Sequence, residues 1–228
     1  MITALESLQT TIAHLRTLAT PVVDHRIMPF GLPALDDRLA SRGLRAGALH
    51  EVAAQSCSMV DDAAATLFLA GIAAREAVHT GGPVLWVSCR NDLYAPGLEQ
   101  AGLSAADLIH AQPRDDAALL AVVEDAVRDG TPSTVIAEVS RMSMVATRRL
   151  QLVAADADIP VLILRRRRNR DQDPLAEPSA AWTRWRIASA SSERLGVAGV
   201  GRSRWQVEVA RQRGGEGFSM ILEGCDET

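Results

Sequence analysis

The sequence predicts an α/β fold: a mostly parallel central sheet with helices on both faces, antiparallel C-terminal edge strands and an N-terminal amphipathic helix. Three observations carry this. Short apolar runs such as Val135-Ile136-Ala137 and Val161-Leu162-Ile163-Leu164 alternate with helical stretches of roughly 10 to 20 residues, the pattern of βαβ units around a buried sheet. Beyond residue 180 the continuous runs give way to alternation, as in half-buried strands. Hydrophobic residues make up 47% of the 228, enough for a substantial core.

The elements follow in order. Residues 3–19 read as an amphipathic helix: Thr3 and Glu6 have capping-box spacing, and Leu5, Leu8, Ile12, Leu15 and Leu18 form one stripe that must dock on its own core or on a neighbouring chain. Pro21 ends it. Residues 34–42 suggest a helix closed by Gly43, and 47–53 a strand. An Ala-rich helix over 60–78 precedes a strand at 83–88, a helix at 92–101 and a short strand at 108–112. Residues 115–129 are helical and stop at Gly130; 133–139 is a strand, 143–157 a helix and 160–164 a strand. Residues 182–190 and 203–212 alternate, and a Gly-rich turn leads into a last strand at 218–223. Two parts are expected: the N-terminal helix over 1–20 and one domain over 21–228.

Composition removes several chemistries. All 24 basic residues are arginine, so no lysine is available for a Schiff base, a general base or the standard phosphate loop. A net charge of −4 argues against a globally basic nucleic-acid coat while leaving room for a local patch. Cys57, Cys89 and Cys225 are far apart, so neither a zinc site nor a disulfide framework is expected. No stretch is apolar enough to span a bilayer, and a soluble cytoplasmic protein is expected. The five histidines form no nucleophile–base–orienter arrangement by spacing, and no catalytic residue, cofactor or metal site is assigned.

In an open α/β sheet the first strand-to-helix turn is the usual anion site. Here it runs from Ala53 to Asp62. Laying the frame GxxxxGK[ST] over 54–61 puts Ala54 and Met59 at the glycines, Val60 at the lysine and Asp61 at the hydroxyl, and none of the four fits. Asp61 and Asp62 would instead face phosphates, a repulsion of about 4 kcal/mol for unit charges ~4 Å apart near a protein surface. They are read as the N-cap and first-turn residues of the helix, complementing its dipole. Cys57 at the same helix start has the setting that lowers a thiol pKa, but is read first as a small buried hydrophobe. Glu138, ending the strand at 133–139, stands where a Walker B carboxylate would hold magnesium. Alone, it makes a poor site for that ion and is read as structural or partner-contacting.

The run Phe30-Gly31-Leu32-Pro33-Ala34-Leu35-Asp36, then Gly43-Leu44 and Gly47-Ala48-Leu49-His50-Glu51-Val52, resembles the segment leading into the phosphate loop of RecA recombinases. Trp86-Val87-Ser88 and Leu93 to Leu103 continue that register. With Arg184-Trp185, Arg204-Trp205 and Arg211-Gln212-Arg213-Gly214-Gly215, the pattern resembles the ImuA family over roughly residues 28–223. The resemblance implies a RecA-like core and a role beside ImuB, an inactive Y-family polymerase subunit, and indirectly a DnaE-type polymerase, in SOS-induced mutagenic translesion synthesis. RecA and single-stranded DNA are further partners it brings into view. Where RecA has its catalytic glutamate, Ser88-Cys89-Arg90-Asn91 offers no carboxylate. The expectation is therefore a non-catalytic adaptor working by contacts. A SulA-like cell-division inhibitor and a residual RecA-like ATPase are the alternatives.

The run Arg165, Arg166, Arg167, Arg168 and Arg170 leaves a central strand where, by the RecA comparison, a single-strand-binding loop begins. It is the expected DNA or partner contact, with Trp182 and Trp185 as a stacking face. The competing reading is a charged loop paired with Asp171, Asp173 and Glu177, with Trp185 and Trp205 in the core.

Overall fold

The computed structural model of the chain describes residues 25–167, 169–199 and 201–224. The expected helix over 3–19, with Leu5, Leu8, Ile12, Leu15 and Leu18, lies outside the described residues, as do Arg168 and Cys225.

Strands β1 (Ile27–Met28) and β2 (Leu44–Arg45) form a small antiparallel ladder around the helical turn α1 (Pro33–Asp36). There follow β3 (Leu49–Ala54), α2 (Met59–Thr80), β4 (Val84–Ser88), α3 (Ala95–Gln100) and β5 (Leu108–Ala111). Then come α4 (Asp116–Asp129), β6 (Thr134–Val139), α5 (Met144–Ala157), β7 (Val161–Arg165), β8 (Thr183–Ala190), β9 (Arg204–Gln212) and β10 (Phe218–Glu223).

The main sheet has eight strands in the order β10-β9-β8-β3-β7-β6-β4-β5. All strands from β8 to β5 run parallel, and β9 is antiparallel to both its neighbours. This is a mixed α/β fold with the RecA-like core that the resemblance implied. The C-terminal strands form the expected antiparallel edge, β8 pairing antiparallel with β9 and β9 with β10; β8 also pairs parallel with β3, Glu51 opposite Arg184, so the reversal of direction begins at β9. Alternation reports half-burial and carries no information on direction.

Local chemistry accounts for the helices. The N-cap of α2 is Ser58 and not an aspartate, which corrects the sequence reading: the Ser58 hydroxyl oxygen accepts from the Asp61 amide, Asp61 and Asp62 lie in the first turn, and Gly81 ends the helix at φ 72°. Asp115 caps α4, which stops at left-handed Gly130; Ser143 caps α5. The expected helix over 34–42 is a single turn. The Asp36 carboxylate folds back onto the Phe30 and Leu32 amides, and left-handed Arg42 delivers the chain into β2. The helix expected from residue 92 begins at Ala95, where Pro96 fits only the first turn.

Two apolar clusters flank the sheet. On one face Ala65, Ala70, Ala73 and Ala77 of α2 pack with Trp86, Leu162 and Leu164, the small side chains bringing the helix close to the strands. Phe30, Phe68, Trp185 and Trp205 form an aromatic group there, Phe68 lying 5.7 Å from Trp185 and 6.1 Å from Trp205 between ring centroids. On the other face Leu119, Val123 and Val127 of α4 and Leu150 and Ala154 of α5 cover Leu49, Val135 and Val161. Among the described residues no helix is long and apolar enough to cross a membrane.

Candidate functional site

The parallel strands present their carboxyl ends on one edge, where such sheets place ligands at a switch in strand order. β3 delivers the turn 55–58, β6 delivers Glu138, and β7 delivers Arg165 to Arg167. Ala54 is the buried last residue of β3, whereas Met59 is 88% and Val60 61% exposed. Asp61 accepts from the Ser189 amide at 2.9 Å and from the Ser56 hydroxyl, which ties the helix start to β8. The Ser58 amide donates to Ser56 Oγ at 3.1 Å, and the Asp61 and Asp62 amides donate to Ser58. The Ser58, Asp61 and Asp62 amides are thus engaged within the turn. Cys57 is exposed, which corrects its reading as a buried hydrophobe; the turn holds it above the sheet edge.

Arg166 takes up the corner itself. Its Nε donates to Glu138 at 2.8 Å and its Nη1 to Asp62 at 2.6 Å. Glu138 also accepts from Trp86 Nε1 at 2.7 Å. Burial opposes the Arg166 charge, but Glu138 and Asp62 outweigh it and hold the pKa above the ordinary arginine value. A fixed guanidinium therefore lies between Glu138 and the helix start and compensates both carboxylates. Arg167 donates to the carbonyl oxygens of Gln55 at 2.8 Å and Gln172 at 2.7 Å, pinning the turn from the other side.

Deeper in the sheet, Glu51 is completely buried on β3. Its Oε1 accepts from Arg165 at 3.2 Å and from the Ser179 hydroxyl at 3.0 Å, and its Oε2 accepts from Arg184 at 2.7 Å. Arg165, 2% exposed, also reaches Glu177 at 3.3 Å. Sequence reasoning missed Glu51 and Arg184. The available signal was a carboxylate in a central strand that is apolar apart from it and His50, and a buried carboxylate requires a cation as partner.

The structure therefore divides the arginine run. Arg165, Arg166 and Arg167 turn inward to acceptors of the fold, and Arg170 is exposed. Of the tryptophans assigned to a stacking face, Trp185 is 1% exposed within the aromatic core and cannot serve. Trp182 is half-buried at the opposite, amino-terminal edge of the parallel strands.

Beside the Arg166 pair runs a cleft of about 330 Å³ between α2 and the β4–α3 connection, lined by Met59, Leu67, Leu93, Tyr94 and Leu98, with Tyr94 70% exposed. Arg90 pairs with Asp92 at its rim. Its walls are chiefly apolar, unlike a triphosphate site.

Fold and site together define a class: a RecA-like α/β domain in which an arginine of the chain itself bridges the end of β6 and the start of α2. No family model matches the chain. It is similar to Protein ImuA of Caulobacter vibrioides strain NA1000 / CB15N, 35% identical over 202 residues, which covers 86% of this chain and 83% of that protein. Protein ImuA of the strain ATCC 19089 / CIP 103742 / CB 15 matches with the same values. The chain belongs to the ImuA family.

Proposed function

We propose that the chain is a non-catalytic accessory subunit of a bacterial DNA-damage mutagenesis complex, working by contacts with an ImuB-type inactive polymerase subunit and through it with a DnaE-type polymerase. ImuA-family membership supports the setting. The observation that carries the non-catalytic part is Arg166 bridging Glu138 and Asp62. A nucleotide with its metal would have to displace that guanidinium and leave two carboxylates facing its phosphates. The exposed apolar side chains Met59, Val60 and Tyr94 at the same edge are consistent with a surface for contacts.

The test is affinity capture of the full-length chain from cells after DNA damage. Recovery of the ImuB-type subunit, followed by reconstitution from purified components, is the expected result. Recovery of the division protein FtsZ in its place, or ATP turnover abolished by Glu138→Gln, contradicts the reading.

A further inference from the structure

Cationic side chains collect at the edge of the sheet opposite the Arg166 corner. Trp182, just before β8, has the Arg45 guanidinium 4.5 Å and the Arg213 guanidinium 5.0 Å from its ring centroid. The Trp182 carbonyl accepts from the Arg213 amide at 3.0 Å, so strand pairing locks the two residues together. Arg211 joins them, donating to the Ser179 and Ala181 carbonyls at 3.2 and 3.1 Å, while Arg213 donates to the Ala180 carbonyl at 2.9 Å. Among the described residues no carboxylate pairs with Arg211 or Arg213, and both are exposed. This contrasts with Arg165 and Arg166, whose charges are met by Glu51, Glu138 and Asp62.

Neighbouring backbone extends the positive edge. The Gln212 side chain accepts from the Ala40 amide at 2.8 Å and donates to the Arg38 carbonyl at 3.1 Å, so the 38–42 turn, with exposed Arg38 and Arg42, lies against the Arg213 turn. Burial and the nearby Arg211 and Arg45 charges lower the Arg213 pKa, so a bound anion would relieve a repulsion already present.

We propose that Arg211 and Arg213, seated around Trp182, form a contact site for single-stranded nucleic acid. The chemistry favours that ligand over an acidic peptide. Two neighbouring surface arginines that no described carboxylate neutralises suit adjacent phosphates, and a cation held over an indole offers a stacking platform to an unpaired base, which a carboxylate chain would leave unused. This deepens the accessory reading by naming a ligand, and it moves the expected DNA contact away from the run after β7, where carboxylates of the fold neutralise Arg165 and Arg166, and Arg167 pins the 55–58 turn.

The experiment measures fluorescence anisotropy of a labelled oligo-dT with the full-length chain across a salt series. The wild type binds with a salt-dependent affinity. Replacing both residues with glutamine (R211Q/R213Q) lowers affinity at least tenfold and flattens the log–log salt slope by about 1.4, the value for two phosphate contacts on a single strand. R211K/R213K retains binding within about threefold at the same thermal stability, and Arg170→Gln changes nothing. An absence of wild-type binding, unaltered binding by R211Q/R213Q, or equal competition by a polyglutamate peptide overturns the proposal. Loss of DNA binding with ImuB capture intact separates this inference from the accessory reading.

Discussion

The Arg166 guanidinium donates through Nε to the Glu138 carboxylate at 2.8 Å, joining the loop after β7 to the end of β6. Glu138 is further held by Trp86, and Arg166 by Asp62, so strand ends and helix start share one ionic node. In this protein the node is structural before it is anything else.

Arg166→Ala therefore destabilises the fold. Glu138, 2% exposed in its side chain, loses its cation while remaining buried, and the expected loss is about 3 kcal/mol by urea denaturation. A loss comparable to an exposed surface pair, below about 1 kcal/mol, would contradict the structural role.

The Glu51 network predicts a second, larger effect. Glu51→Ala strands the guanidiniums of Arg165 and Arg184, 2% and 9% exposed in their side chains, and should cost about 3 to 5 kcal/mol. Glu51→Gln keeps an acceptor oxygen and should cost less. Chemical unfolding of both variants checks the order.

His50 makes stability fall in acid. Its Nε2 donates to the Arg45 carbonyl at 2.8 Å, and its Nδ1 accepts from the Thr183 hydroxyl at 2.7 Å, whose oxygen accepts from Trp185 Nε1 at 2.6 Å. That chain requires a neutral imidazole. Burial lowers the pKa from 6.5 to about 4 against the opposing Arg45 hydrogen bond. Between those values the unfolded chain binds the extra proton, so the contribution is complete above pH 6.5 and is lost as pH falls toward 4. The whole shift corresponds to about 3 kcal/mol. Unfolding midpoints across this range should flatten in His50→Asn relative to wild type.

Gly47→Ala should disturb the start of β3. A Cβ there would clash with His25 Nδ1 and meet Asp158 Oδ1 at 3.0 Å, and those two side chains are themselves hydrogen-bonded at 3.1 Å. The expected penalty is about 1 to 3 kcal/mol in thermal unfolding.

Much of the fold was legible from apolar runs and the breakers that end them. Gly130 stops its helix as its residue type implies, and the Ala-rich run over 60–78 is α2, whose caps Ser58 and Gly81 lie just outside that run. The β1–β2 ladder was not legible: two-residue strands have no period to detect. At the site, the failed phosphate-loop frame could be read from residue types alone. The fate of the arginine run could not, since Arg166 and Asp62 stand 104 positions apart and meet only through the order of the strands. Trp182 and Trp185 likewise differ by three positions and take opposite fates, because Trp185 faces α2 in the core whereas Trp182 lies at the strand's start among arginines.

The most direct test of the occupied corner is calorimetric titration of the purified full-length chain with magnesium–ATP. No heat of binding and no thermal-shift stabilisation at millimolar nucleotide is the predicted result, in the wild type and in Cys57→Ser alike. A micromolar dissociation constant, with Arg166 displaced from Glu138 in a nucleotide-bound crystal structure, would contradict the account.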